Sequence, residues 1–489
     1  MLLGLSLGLS LGLSAQTPLR PSGDGSAGML SWQSYTISTP APPRDNQTWQ
    51  RARRTFLMPL PQGQIACVWQ GGARAGLFLT LIDPQSPSSQ TRPLSNPIGG
   101  RLLAACTDDV GLLYYALATA GTGQVSLMLC KASSDGSLLK QQSYPTGPED
   151  FDVWELSDEY PRVMRCQGQT LLLMLTQLCN EGDDGLNHQG GTAWLFDTAS
   201  LRMTHAYGQT SGHAFDNWLM PLGQEGAYLG VDLGDNYPRG VHLHRFSVRP
   251  PQVQRQVVYT FKVRHGTQPA YAEGMPTYPV YREISDGDET FYRWSNDNAT
   301  YGRIGGMAEV ADGYLVFFTG EPDPQGGSLD NSRAGEPSPD PRNVGFVKVR
   351  KDFFRYDAMT DIVVSPGATE TGGYHSFDGQ WTRQTNHGVN WLTSYTDAEA
   401  PSAHRLRVAP LGGDRILLLW TQATSEYEPG DMQALVVDGS GQALGPVLSL
   451  GTAIALSQRD DPLVLGGAVW LAEPRTHDQS LVLHRLWLD

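Results

Sequence analysis

Six arginines and one histidine recur at the same point of a repeated sequence unit: Arg54, Arg101, Arg162, His213, Arg303, Arg405 and Arg459. Each stands at the opening of a short apolar segment. A glycine-containing tight turn follows, and a second, strongly apolar segment returns; the first copy runs from Arg54 to Trp69. If the opening segments are neighbouring strands, the seven side chains converge. Clustered guanidinium groups recognise carboxylate, sulfate or phosphate through bidentate hydrogen bonds. The same residues have a structural use as well, each arginine pairing with an Asp or Glu of the next unit and stapling the units together.

A second group of residues could bind or act on a ligand. Asp183-Asp184, Asp232, Asp235-Asn236, Asp286 to Glu289 and Asn296 to Asn298 supply oxygens of the kind Ca²⁺ takes, although none completes an Asp-x-Asp-x-Asp-Gly loop. A bound Ca²⁺ is therefore an expectation, and no cofactor is otherwise required. His188, His213, His242, His244, His387 and His404 are candidates for acid–base work, with Asp216, Asp232, Asp235 and Glu321 as partners. Paired carboxylates across a channel would suit glycoside cleavage. Outside the apolar N-terminal run, where Gly4 to Gly8 and Gly8 to Gly12 match it by composition, no Gly-x-Ser-x-Gly nucleophile motif is present. His242 and His244 alternate along one strand and share a sheet face, which suits packing better than ligation. Trp69 and Trp420 close apolar strands and are expected in the core, whereas Trp391 is the aromatic expected to be exposed for stacking on a sugar ring.

These residues must be positioned by short strands at a period of about 40–60 residues, seven times over, which is the pattern of one four-stranded blade per repeat. Blades are expected to start near 54, 101, 162, 213, 303, 405 and 459. The chain resembles the seven-bladed β-propellers, a likeness of architecture that names no particular family. The Gly-His and Trp-Asp pair of WD40 blades is absent, and the kelch pattern is not met despite Gly412-Gly413 and Gly466-Gly467. The expected fold is all-β: a seven-bladed propeller of four-stranded antiparallel blades over 31–489. The last blade supplies three strands before the chain ends, so the alternating segment Ser31 to Ser38 is expected to add the fourth and close the ring.

Within each blade the turns between the first and second strands, and between the third and fourth, are short Gly/Asp/Ser turns. The connections on the other face are long. Insertions are expected over 250–300, 321–343 and 355–402, and their gathering on one face is what a binding face would look like.

The 489 residues carry a formal net charge of −15, with only 17% charged residues and five lysines. An acidic chain without a Lys/Arg run argues against nucleic acid and anionic membranes as partners, while leaving room for a local basic pocket. Residues 1–15 form an apolar run ending in small residues, read as a secretory signal, with 16–30 as a linker. The run is too short to span a bilayer. An extracytoplasmic, soluble monomer without membrane insertion is the expectation. The five cysteines (67, 106, 130, 166 and 179) sit mostly in apolar strand text and read as small buried hydrophobes; Cys67 and Cys106, placed on inner strands of adjacent blades, are the pair that oxidation would join.

Three functions are consistent with this pattern. The first is a non-enzymatic module binding an anionic partner, a glycan or acidic protein segment, at the loop-rich face. The second is a glycan-acting hydrolase or lyase using carboxylates and histidines of that face. The third is a structural component of a cell-surface assembly.

Overall fold

Apolar runs broken by glycine turns become strands, and consecutive strands pair as antiparallel neighbours. The computed structural model describes residues 17–44, 53–72, 76–85, 88–119, 126–144, 161–181, 187–212, 216–223, 225–234, 240–260, 284–286, 289–291, 302–320, 341–351, 369–377, 380–397, 400–425, 427–457 and 459–489. Seven antiparallel sheets follow one another as the blades of a β-propeller. Their inner strands are Thr55–Pro59, Arg101–Thr107, Arg162–Gln167, Asp216–Leu222, Arg303–Val310, Ser402–Gly412 and Leu463–Leu465, each starting within four residues of the expected opening. Among the described residues no helix is long and apolar enough to cross a membrane.

The ring is closed by the N-terminal strand. Leu30–Ser38 pairs along its whole length with Ser480–Leu488, from Leu30 opposite Leu488 to Ser38 opposite Ser480. Outside it lies a further strand, Arg20–Ala27, so blade seven has five strands. Most of the stretch expected to be a linker (16–30) is thus part of a blade. Thr17 and Pro18 then cross to Ser88 and Ser89 on the outer edge of blade one.

The long insertions are also partly sheet. Pro251–Thr260 is the outer strand of blade four, while Asn343–Arg350, which follows the 321–343 insertion, is the third strand of blade five. The hairpin Thr369–Phe377 and Gln380–Trp391 extends blade five through Gly345 opposite Trp391 and Phe346 opposite Asn390. The remainder of 250–300, 321–343 and 355–402 lies largely outside the described residues.

The packing explains why alternation is weak in many strands. Each blade is covered on both faces by its neighbours, so strands such as Ala227–Gly234 are buried at every position. Apolar clusters fill every gap: Tyr35, Trp69 and Trp470 between blades seven and one, Val163, Tyr207 and Phe246 between three and four, and Leu315, Leu418 and Trp420 between five and six. Trp69 and Trp420 are fully buried, as expected.

Candidate functional site in the central channel

The channel is crossed by charged residues that stand on or just ahead of the inner strands. Arg53, immediately before the first inner strand, reaches three other blades. Its Nη1 donates to the Arg162 carbonyl at 2.8 Å and to Asn217 Oδ1 at 3.2 Å. Its Nη2 donates to the Asn217 carbonyl at 3.0 Å, and its Nε and Nη2 to Asp461 at 3.0 and 3.2 Å. Arg165, on the inner strand of blade three, donates from Nη2 to the same carboxylate at 2.7 Å. Arg459 of blade seven pairs with Asp216 of blade four at 3.2 Å. Arg407 of blade six holds the loop into blade seven, donating to the carbonyls of Asp460 (2.8 Å) and Ser457 (2.9 Å). Asp460 accepts from the Arg54 amide at 2.7 Å and from the Thr55 hydroxyl, fastening blade seven to blade one.

Four arginines therefore meet three aspartates in a protein whose net charge is −15. Burial opposes ionisation of Asp461, but the charges and hydrogen bonds of Arg53 and Arg165 outweigh it and hold the carboxyl at about 2. Asp460 moves the other way, because burial outweighs its hydrogen bonds and raises its pKa. Burial, with repulsion from Arg459, lowers the Arg407 pKa, yet a guanidinium stays charged at neutral pH. The cluster is a local reversal of the molecule's field.

A cavity of about 260 Å³ opens from this cluster toward the tight-turn face. Its inner end is Asp461 with Arg53 and Arg165. Its walls are Phe56, Leu57, Met58 and Pro59 of blade one, Ala105 and Cys106 of blade two, Cys166 of blade three, and Leu463 of blade seven. Pro59, at the end of its strand, is exposed, while Thr107 and Cys166 are half-buried. The Arg165 side chain keeps 26% of its surface exposed, against 4% for Arg53. Among the described residues Arg165 commits Nη1 to the Met164 carbonyl and Nη2 to Asp461, out of five N–H donors.

The strand openers are placed differently from a ring of open guanidinium groups. Arg54, Arg162, Arg303, Arg405 and Arg459 are buried and Arg101 is half-buried. Arg459 is stapled to Asp216, Arg405 Nη1 donates to the Leu456 carbonyl and Arg303 Nη1 to the Gly302 carbonyl. His213, Asp235 and Glu321 lie outside the described residues, as do the side chains of His188 and His387 and those of the loop residues read as Ca²⁺ ligands, Asp232 apart. Among the described residues no group of three or more His, Cys, Asp or Glu is placed to hold a metal. Trp391, expected to be exposed, packs edge-on against Phe318 beside Gly345 of blade five.

The described acid–histidine pairs are internal to blades. Asp232 is fully buried and bonded to His244 Nε2 at 3.0 Å. Burial works against its ionisation, but His244 holds the carboxyl below the ordinary range. Glu473 and His484 repeat the arrangement in blade seven at 3.1 Å, and the other ring nitrogen meets Ser34 Oγ at 2.8 Å. Blade one uses the same register with different residues, Trp69 to Thr80 to Thr91, both steps at 2.9 Å. In each case a residue of the second strand contacts the third strand two positions beyond its direct partner. These chains tie strands together away from the channel.

Sequence reasoning passed over Arg53, Arg165, Arg407 and Asp461. The available signals were the doublets Arg53-Arg54 and Asp460-Asp461 ahead of inner strands, and a charged residue inside apolar strand text at Arg165 and Arg407. The cysteine expectation also changes. Cys67 lies on the second strand of blade one, buried against blade seven, and the neighbour of Cys106 is Cys166.

No protein-family model matches the chain, and no curated protein matches it. Solved structures do. An oligogalacturonate lyase from Vibrio parahaemolyticus is 8% identical, with 97% of this chain and 98% of that one covered at a TM-score of 0.42. The β-propeller domain of the Trilobed protease from Pyrococcus furiosus is 9% identical over 90% of this chain and 100% of that one, with a TM-score of 0.37. A lignostilbene dioxygenase from Pseudomonas brassicacearum is 11% identical over 83% and 74%, also at 0.37. At such identities and TM-scores the likeness carries no argument about what this chain does.

Proposed function

We propose that the protein is an exported, non-enzymatic binding module that takes the anionic end of a small ligand in the channel pocket. Arg165 is the anion contact and Arg53 its buried support. The observation that carries this reading is the partly exposed Arg165 guanidinium at the inner end of an apolar-walled cavity, in an otherwise acidic protein. At about 260 Å³ the cavity is just below the ~300–1,000 Å³ typical of drug-sized ligands. It suits a small carboxylate with an apolar body, or one acidic terminus of something larger. The site sits at the tight-turn end of the channel rather than under the long loops.

Calorimetric titration with a panel of small aliphatic and aromatic carboxylates tests it. A charge-assisted hydrogen bond contributes about 1.5–3 kcal/mol, so Arg165→Gln should weaken any binder by roughly 10- to 150-fold with the melting temperature changed by only a few degrees. Equal affinity in the variant would overturn the assignment.

A further inference from the structure

Two cysteines occupy equivalent places on the channel wall. Cys106 is the penultimate residue of the inner strand of blade two, and Cys166 the penultimate residue of the inner strand of blade three. Both line the cavity, Cys166 packs against the cluster that holds Cys106, and the two inner strands that carry them lie side by side. Their accessibility differs. Cys106 is 4% exposed, whereas Cys166 is half-buried and donates weakly to the Thr170 carbonyl at 3.4 Å. Cys67 and Cys130, by contrast, are enclosed among apolar side chains away from this wall.

We propose that Cys106 and Cys166 are a redox-convertible pair, oxidised by a low-molecular-weight disulfide to a bond that joins blades two and three on the wall of the channel pocket. The more accessible Cys166 reacts first. Its thiolate attacks one sulfur of the reagent, the reagent S–S bond breaks, and one reagent thiol leaves with the proton that Cys166 gave up. The Cys106 sulfur then attacks the Cys166 sulfur of the mixed disulfide, and the second reagent thiol leaves with the Cys106 proton. The protein loses two electrons and two protons, and the reagent disulfide is reduced to two thiols. Burial, and after it the neighbouring Cys166, raises the Cys106 thiol pKa, which protects Cys106 from reagent in solution; its attack on the mixed disulfide rests on proximity to Cys166. The pair belongs to the wall itself and stands whether or not an anion occupies the pocket.

The test is to incubate the folded protein with oxidised glutathione, quench with acid, alkylate the remaining thiols and map the peptides by mass. The expected product joins the Cys106 and Cys166 peptides and is reversed by dithiothreitol. Cys106→Ser should instead accumulate the mixed disulfide on Cys166, and Cys166→Ser should leave Cys106 as a free thiol. If the wild-type protein stops at a mixed disulfide on Cys166, keeps both thiols, or forms its cross-link elsewhere, the proposal is wrong. The wild-type map decides the matter even if a variant fails to fold.

Discussion

Replacing Asp461 with Asn perturbs the channel cluster without changing its shape. The carboxylate accepts from Arg53 at 3.0 and 3.2 Å and from Arg165 at 2.7 Å, and the Arg53 side chain is only 4% exposed. An amide leaves Arg53 buried without its countercharge, and breaking a buried pair in this way costs about 3–5 kcal/mol. The pH dependence supplies a second number. The Asp461 pKa falls from the ordinary 3.8 to about 2 in the folded protein. At about 1.4 kcal/mol per tenfold change in proton affinity, that is about 2 kcal/mol after allowing for solvent screening of a 19% exposed side chain. Because the folded value is the depressed one, this stability is fully present above about pH 4 and is lost as pH falls through about 2. Urea unfolding of both proteins at neutral pH and near pH 2 measures it. Asp461→Asn should be less stable by about 3–5 kcal/mol at neutral pH, and the gap should narrow by about 2 kcal/mol in acid. A gap that is the same at both pH values would refute the reasoning.

Other outcomes follow from the blades. Ser34→Ala removes the partner of His484 Nδ1 on the ring-closing strand and should cost about 1–3 kcal/mol in thermal or urea unfolding. Gly441→Ala should destabilise strongly, because φ is +87° and a Cβ would lie 2.0 Å from the Phe346 ring of the neighbouring blade. Gly412→Ala, at φ +80° with open space around it, should cost only about 1 kcal/mol. Leu173→Ala, fully buried in the apolar cluster that packs blades two and three together, should cost about 2–5 kcal/mol. Oxidation of Cys106 and Cys166 closes a loop of roughly 60 residues and should raise stability by up to about 4 kcal/mol, read as a higher melting temperature without reductant.

The architecture was legible because it rests on local, repeated signals. A glycine turn between apolar runs marks each pair of first and second strands, and the three-strand text of blade seven called for Leu30–Ser38 as its closing partner. The outer strands were harder. Arg20–Ala27 is built from Arg, Pro, Gly, Ser and Asp, whose composition reads as a linker, and it becomes a strand only because Leu30–Ser38 offers it an unpaired edge. A clustering of guanidinium groups in an acidic chain was legible, but only part of its membership was. The expectation fell on residues at the strand openings, of which Arg459 pairs with Asp216, whereas the other contacts are made by Arg53, one position before its opener, and by Arg165 and Arg407, three and two positions after theirs. Which of several nearby arginines faces the axis depends on strand twist and register, and one position reverses a side chain's direction. Trp391 misled for a related reason: polar text around it suggested a loop, while the chain there is a strand paired to Gly345.

Diffraction from crystals soaked in a bromine-substituted short-chain carboxylate would test the central claim most directly. The account predicts an anomalous bromine peak in the channel cavity among Phe56, Leu57 and Leu463, with the carboxylate within hydrogen-bonding distance of Arg165. A peak confined to the loop-rich face, with the channel cavity empty, would contradict it.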